Sequence, residues 1–237
     1  LITNCLNEFV QNNNLREIRI NETGKYGLKA PNGYNDFCQH LPLKVKKVNK
    51  KGKFMYWEFN KNQYMFNHLM MTGSWSLERD QFVALEFVFT NCILYYSDKR
   101  RFGRVEFSGS KADLLKDLSN IGPDMMEPGI TGGQFVKIMR QFPKKNFGVA
   151  MMEQDKVSGI GNYLRTEILY TAQISPHKKV NELSDQKLKE IFVIAKNILE
   201  ISYSFKGCSL RDFKNLKGEE GKFQKHLKVY NKKKDQY

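Results

Sequence analysis

The sequence has no apolar run approaching the roughly 20 residues of a membrane-spanning helix, so no membrane partner is expected and the chain should be soluble. Cysteine is scarce. Cys5, Cys38, Cys92 and Cys208 are scattered, with no CxxC pair and no close Cys/His spacing of the kind zinc requires. No metal and no cofactor is therefore expected within these residues. So few thiols, without a signal peptide, fit a reducing intracellular compartment, nucleus or cytoplasm, and not secretion. Internal repeats and low-complexity tracts are also missing.

What is present is a chain of 237 residues, 41% hydrophobic, enough for a substantial core and for two domains. Acidic residues are outnumbered. Lys and Arg total 39 against 25 Asp and Glu, a net charge of +14 whose field attracts polyanions and puts nucleic acid first among partners. A generically lysine-rich surface is the other reading of the same number, because net charge speaks to association and not to fold.

Leu1, Ile2, Cys5, Leu6, Phe9 and Val10 recur at helical spacing until Asn12, Asn13 and Asn14 break the pattern. No cap precedes that helix, so the chain is expected to begin inside it. From Leu15 to Phe107 the texture changes to short alternating stretches, among them Val83/Leu85/Phe87/Phe89 and Ile93/Tyr95, separated by Gly, Asn and Lys clusters. Helical period returns in 111–119, around Phe135 to Phe142, and in a long helix from about Asp185 to Tyr203. That helix carries Leu188, Ile191, Phe192, Ala195, Ile198 and Leu199 on one face. The fold class expected is α+β: an N-terminal β-sandwich domain flanked by a helix over 1–121, a Gly/Pro-rich linker over 122–133, and a C-terminal helical domain over 134–237.

The segment Gly159-Ile160-Gly161-Asn162 precedes a helix carrying Leu164, Ile168 and Leu169. Such a turn exposes backbone N–H groups at a helix start, where phosphate binds; packing of two helices through a tight turn explains the same four residues equally well. Lys53 follows Gly52 at the start of an apolar β segment, where a lysine is either one of many solvated charges or a reactive amine.

The surroundings of the glycine turn are more specific. Met152-Glu153-Gln154 before it, the run from Asn162 to Tyr170 after it, and the closing Ile174-Ser175-Pro176 resemble the helix-two-turns-helix element of the formamidopyrimidine-DNA glycosylase and endonuclease VIII family. Asn162-Tyr163-Leu164-Arg165 looks closest to eukaryotic and viral endonuclease VIII-like members. The stretches 68–75 and 98–103 look like that family's two loops that fill the gap left by an extruded base. Residues 207–213 and 227–230 resemble its lesion-recognition loop and the approach to its terminal finger.

The resemblance implies a base-excision-repair glycosylase with β,δ-elimination lyase activity, whose partner is double-stranded DNA containing oxidised bases or abasic sites, engaged by a monomer. Carried over residue by residue, Gly159, Gly161, Asn162 and Arg165 hold DNA backbone, and Met71, Arg100 and Phe102 fill the void. Lys53 touches phosphate and assists the glycosylase step; Ser209 and Arg211 contact the flipped base. The family's attacking amine, an N-terminal proline beside a glutamate, is not among these residues. Its terminal finger hairpin, zinc-bound or zincless, is expected beyond residue 237. Phe147-Gly148 stands where many bacterial relatives carry a phosphate-binding lysine, a departure that puts one backbone contact in doubt. The missing ends fit a longer natural chain, or else a paralogue that binds damage without cutting it. From outside the family, a helix-turn-helix regulator with a β-rich ligand domain would bind intact DNA by sequence.

Overall fold

The computed structural model describes residues 1–209, 216 and 218–232. The chain divides into two compact units, Leu1–Leu118 with Ser209–Gly221, and Ser119–Cys208 with Lys222–Tyr237. The return of the chain to the first unit interrupts the contiguous C-terminal domain expected over 134–237. Leu216 is the reason, since it is buried in the first unit's core.

The first unit is built on eight antiparallel strands: β1 (Asn14–Ile20), β2 (Leu43–Lys51), β3 (Phe54–Phe59), β4 (Tyr64–His68), β5 (Gly73–Ser76), β6 (Val83–Phe89), β7 (Ile93–Asp98) and β8 (Arg104–Ser108). Their order is β5-β7-β6-β1-β2-β3-β4-β8. Trp57 on β3 and Trp75 on β5 would lie about 24 Å apart if that sheet were flat, yet their rings are 5.2 Å apart. The sheet is therefore folded over into two layers, as the alternating stretches predict. Between the layers the Trp75 indole N–H donates to Asn67 Oδ1 at 2.8 Å, and the Asn67 amide donates to the Arg104 carbonyl at 2.9 Å. A fully buried amide is thereby satisfied, which removes the desolvation cost of leaving it unpaired.

Two helices close this unit's core. Helix α1 (Ile2–Val10) buries Thr3, Leu6 and Val10, and its Asn7 pairs with both the N–H and the C=O of Val48 at 2.8 Å, acting as a strand would on β2. Helix α2 (Tyr34–Gln39) was not expected within the β-rich stretch. It is only six residues long and buries one side chain, Phe37, whose ring meets Phe59 at 5.2 Å and Phe107 at 4.6 Å. One buried residue leaves no periodicity to read. Helix α3 (Lys111–Ser119) follows β8.

The second unit is helical: α4 (Gly132–Met139), α5 (Phe147–Ala150), α6 (Asn162–Thr171) and α7 (Asp185–Ser204), with 3-10 turns at Val180–Glu182 and Phe223–His226. Ser184 caps α7 by accepting from the Lys187 N–H, and the helix buries Leu188, Ile191, Phe192, Ala195 and Leu199, the face its sequence period marks out. The stretch 122–133 is not a linker. Met125 and Ile130 are buried in the second unit's core, and Thr131 with Gln134 forms a capping box that opens α4. Gly122 serves close packing: a Cβ there would stand 2.3 Å from the Lys156 carbonyl carbon. No described helix is long and apolar enough to cross a membrane.

The two faces of α7 should respond differently to truncation. Ile191→Ala, at a fully buried site, is expected to cost about 2–5 kcal/mol. Val193→Ala, at a site 54% exposed, should stay within about 0.5 kcal/mol. Urea unfolding followed by helical circular dichroism measures both, and equal losses would contradict the assigned face.

Candidate nucleic-acid interface

Two loops of the first unit present side chains that ordinary packing would bury. Residues 69–72 join β4 to β5 and residues 99–103 join β7 to β8. Met70, Met71 and Phe102 are 66, 65 and 57% exposed, an apolar group at loop tips of the kind that marks a binding surface. The Arg100 guanidinium donates to Met71 Sδ at 3.6 Å, so two of the three residues expected to fill a void meet across the loops. Phe102 stands two residues further along the second loop.

These tips are held from underneath. Asp98, 3% exposed, accepts the Thr72 hydroxyl at Oδ1 and the Gly103 N–H at Oδ2, both at 2.7 Å. The Thr72 hydroxyl in turn accepts the Arg100 N–H at 3.1 Å. Met70 and Arg101 adopt φ of +53° and +60°, strained for side-chain-bearing residues by about 1–2 kcal/mol each. Beneath both loops lies Tyr96. A Cβ on Gly73 or Gly103 would stand 2.9 or 2.2 Å from its hydroxyl, so both positions require glycine, and burial pushes the phenol far above its ordinary pKa. Neither Asp98 nor Thr72 was singled out from the sequence, because a short polar residue beside a turn carries no periodic signal.

Lys53 occupies the second position of the two-residue turn between β2 and β3, whose first position Gly52 takes at φ +55°. Its side chain is exposed overall, yet desolvation of the amine by neighbouring atoms holds its pKa below the ordinary lysine value. His68, at the end of β4, is pushed down likewise, by burial first and then by the Arg104 charge. Ser209 accepts the Gly221 N–H at 2.9 Å, an internal bond of this unit. Arg211 lies outside the described residues.

In the second unit the glycine turn is organised by Gln154. Its amide nitrogen donates to the Met152 and Ile160 carbonyls, both at 2.9 Å, and its Oε1 accepts the Gly159 N–H at 3.2 Å. Gly159 has φ +100°, and Gly161 is the extended N-cap of α6 with no side-chain cap. The first-turn N–H groups of a helix lack intrahelical acceptors, so this end suits an anion. Asn162 is the first residue of α6, exposed, and the half-buried Arg165 lies one turn on, its N–H donating to the Gly161 carbonyl at 2.8 Å. Phe147, noted in the sequence as a departure from the family pattern, is fully buried.

Glu167, 3% exposed on α6, was also missed. Its carboxylate accepts the N–H groups of Lys228, Val229 and Tyr230 at 2.8, 3.0 and 2.8 Å. An acid three residues from Leu164 on an apolar helix face is a readable sign of such a role. Burial, and then the Glu167 charge, pushes the Cys208 thiol up to about 11. Among the described residues no group of three or more His, Cys, Asp or Glu side chains could hold a metal ion.

Comparison with known proteins agrees with this arrangement. The formamidopyrimidine-DNA glycosylase N-terminal domain matches residues 1–105, and the formamidopyrimidine-DNA glycosylase H2TH domain matches residues 121–214. A formamidopyrimidine-DNA glycosylase of Desulfitobacterium hafniense is 27% identical over 97% of this chain and 85% of its own length. That of Mycoplasma mobile is 30% identical over 78% of this chain and 69% of its own. Among solved structures, the MutM (Fpg) protein of Thermus thermophilus superposes with a TM-score of 0.85 at 21% identity, over 97% of this chain and 84% of that one. Lactococcus lactis Fpg, in complex with DNA containing an abasic site, gives 0.85 at 25% identity, over 98 and 86%. These relatives are bacterial, and they lend no support to the closeness to eukaryotic and viral endonuclease VIII-like members expected from Asn162-Tyr163-Leu164-Arg165. With the two domain matches spanning most of its length, the chain belongs to the formamidopyrimidine-DNA glycosylase family.

Proposed function

We propose that this protein excises oxidised bases from duplex DNA and cleaves the strand at the resulting abasic site. The observation that carries the reading is the exposed group Met71, Arg100 and Phe102, fixed on two loops whose backbones are tied down from below. A base inside a duplex is out of reach of any active site, so the nucleotide must leave the stack at a cost of a few kcal/mol. Apolar tips inserted into the vacated space offset that cost, and the planar guanidinium of Arg100 can hydrogen-bond the orphaned opposite base.

The remaining residues divide between holding and chemistry. Gly159, Gly161 and Asn162 present backbone at the start of α6 to a phosphate, with Arg165 adding charge. Lys53 meets a phosphate near the lesion and assists departure of the base. Ser209 and Arg211 belong to the loop that reads the flipped base. The Schiff base that precedes strand cleavage needs an amine attacking the sugar C1′, which in the family is an N-terminal proline with a neighbouring glutamate moving protons. A MutM protein has been solved in complex with DNA containing carbocyclic 8-oxo-G, an oxidised purine, which makes oxidised purines the first substrates to test.

Borohydride trapping of the natural protein on a duplex containing 8-oxoguanine or an abasic site should give a covalent protein–DNA band. Damage-selective binding without that band would leave a non-catalytic binder, and equal affinity for intact duplex would refute the glycosylase reading altogether. Lys53→Ala should reduce the slope of log K against log salt by about 1. The Lys53 contribution comes from the protonated amine, so it is present below its lowered pKa and lost as pH rises through it, earlier than for an ordinary lysine. Gly159→Ala forces a side chain into left-handed backbone and should lower the stability of the second unit by about 1–2 kcal/mol in urea unfolding.

A further inference from the structure

Asp98 and Thr72 do more than close a turn. Asp98 grips both ends of the tip that carries Arg100: its carbonyl accepts the Arg101 N–H at 3.1 Å, and its Oδ2 accepts the Gly103 N–H at 2.7 Å. Its other oxygen, Oδ1, reaches across to the first loop and takes the Thr72 hydroxyl proton at 2.7 Å. A hydroxyl has one proton to give, and giving it to Asp98 turns the lone pairs of Oγ1 toward the second loop, where the Arg100 N–H donates at 3.1 Å. The residue preceding Thr72 is Met71, whose sulfur receives the Arg100 guanidinium at 3.6 Å. Backbone to hydroxyl to buried carboxylate on one side, and side chain to sulfur on the other, close a ring around Arg100.

We propose that Thr72 and Asp98 are positioning residues that set where Arg100 stands when a nucleotide leaves the stack; the inference rests on the proposed damage-binding function and deepens it. Neither side chain needs to touch DNA. Their effect runs through the Arg100 backbone, and it depends on one hydroxyl having a donor partner and an acceptor partner at once. Valine at position 72 keeps the shape and removes both bonds, whereas serine keeps both bonds and removes a methyl group.

The test uses the natural protein and a duplex carrying 8-oxoguanine next to 2-aminopurine, whose fluorescence reports unstacking at the lesion whether or not the strand is cut. Thr72→Val should slow unstacking by about tenfold at a temperature where the variant is fully folded, and it should also lower the thermal unfolding transition, because a buried carboxylate is left underpaired. Thr72→Ser should restore the rate to within about twofold. In an Arg100→Ala background, Thr72→Val should add no further loss, because the residue it acts through is already gone. Equal losses in both backgrounds, or failure of serine to rescue, would overturn the inference while leaving the damage-binding function standing. A parent protein that unstacks no damaged duplex would overturn that function, and this inference with it.

Discussion

A loop whose side chains must stay available to a partner cannot be stabilised by burying them, and this constraint governs how the chain holds its exposed elements. Each is fixed instead through its backbone, by a polar side chain underneath. Asp98 accepts from Thr72 and Gly103 beneath the two tips, Gln154 both donates and accepts beneath the glycine turn, and Glu167 accepts three consecutive N–H groups from Lys228 to Tyr230. Burying a carboxylate is costly unless its oxygens are hydrogen-bonded. Loop geometry is therefore enforced by the penalty for breaking it. The same arrangement sustains the strained φ angles of Met70 and Arg101, which the tips themselves bury too little surface to offset.

The elements that bury a regular face were legible in the sequence. Helix α7 shows its core side through the spacing of Leu188, Ile191, Phe192, Ala195 and Leu199, and the strands show theirs by alternation. Family likeness supplied Met71, Arg100 and Phe102, although apolar Met71 and Phe102 beside turns could equally be core residues. Their exposure is what separates those two assignments. Arg211 was named in the same way, but it lies outside the described residues.

What sequence reading missed has a common cause: the partner of a buried polar side chain can lie far along the chain, and nothing periodic points to it. Asp98 reaches Thr72 across 26 positions and Glu167 reaches Lys228 across 61. The stretch 122–133 misled in the opposite sense, because glycine and proline usually mark connectors. Here Asp124 forms a parallel bridge with Ser158, and the Ser158 hydroxyl donates to the Gly122 carbonyl at 2.9 Å. Gly122 is glycine because the Lys156 backbone approaches too closely for any side chain, so composition alone pointed to a linker where the structure has packed core.

The same contrast separates the two contributions that the proposed function needs. A net charge of +14 draws in a polyanion of any sequence and weakens with salt, so it brings the protein to DNA without telling one site from another. Discrimination has to come from something whose energy differs between a sound and a damaged base pair. Exposed apolar tips meet that requirement, because their gain is realised only where a nucleotide can be moved out, and a damaged pair resists that movement least. Rigid support is then a condition of selectivity. If Arg100 and Met71 could relax into other positions, they would find contacts on intact duplex as well, and the energetic difference between the two duplexes would shrink. Under the proposed function, the buried carboxylate of Asp98 is thus as much a part of damage discrimination as the side chains proposed to meet DNA.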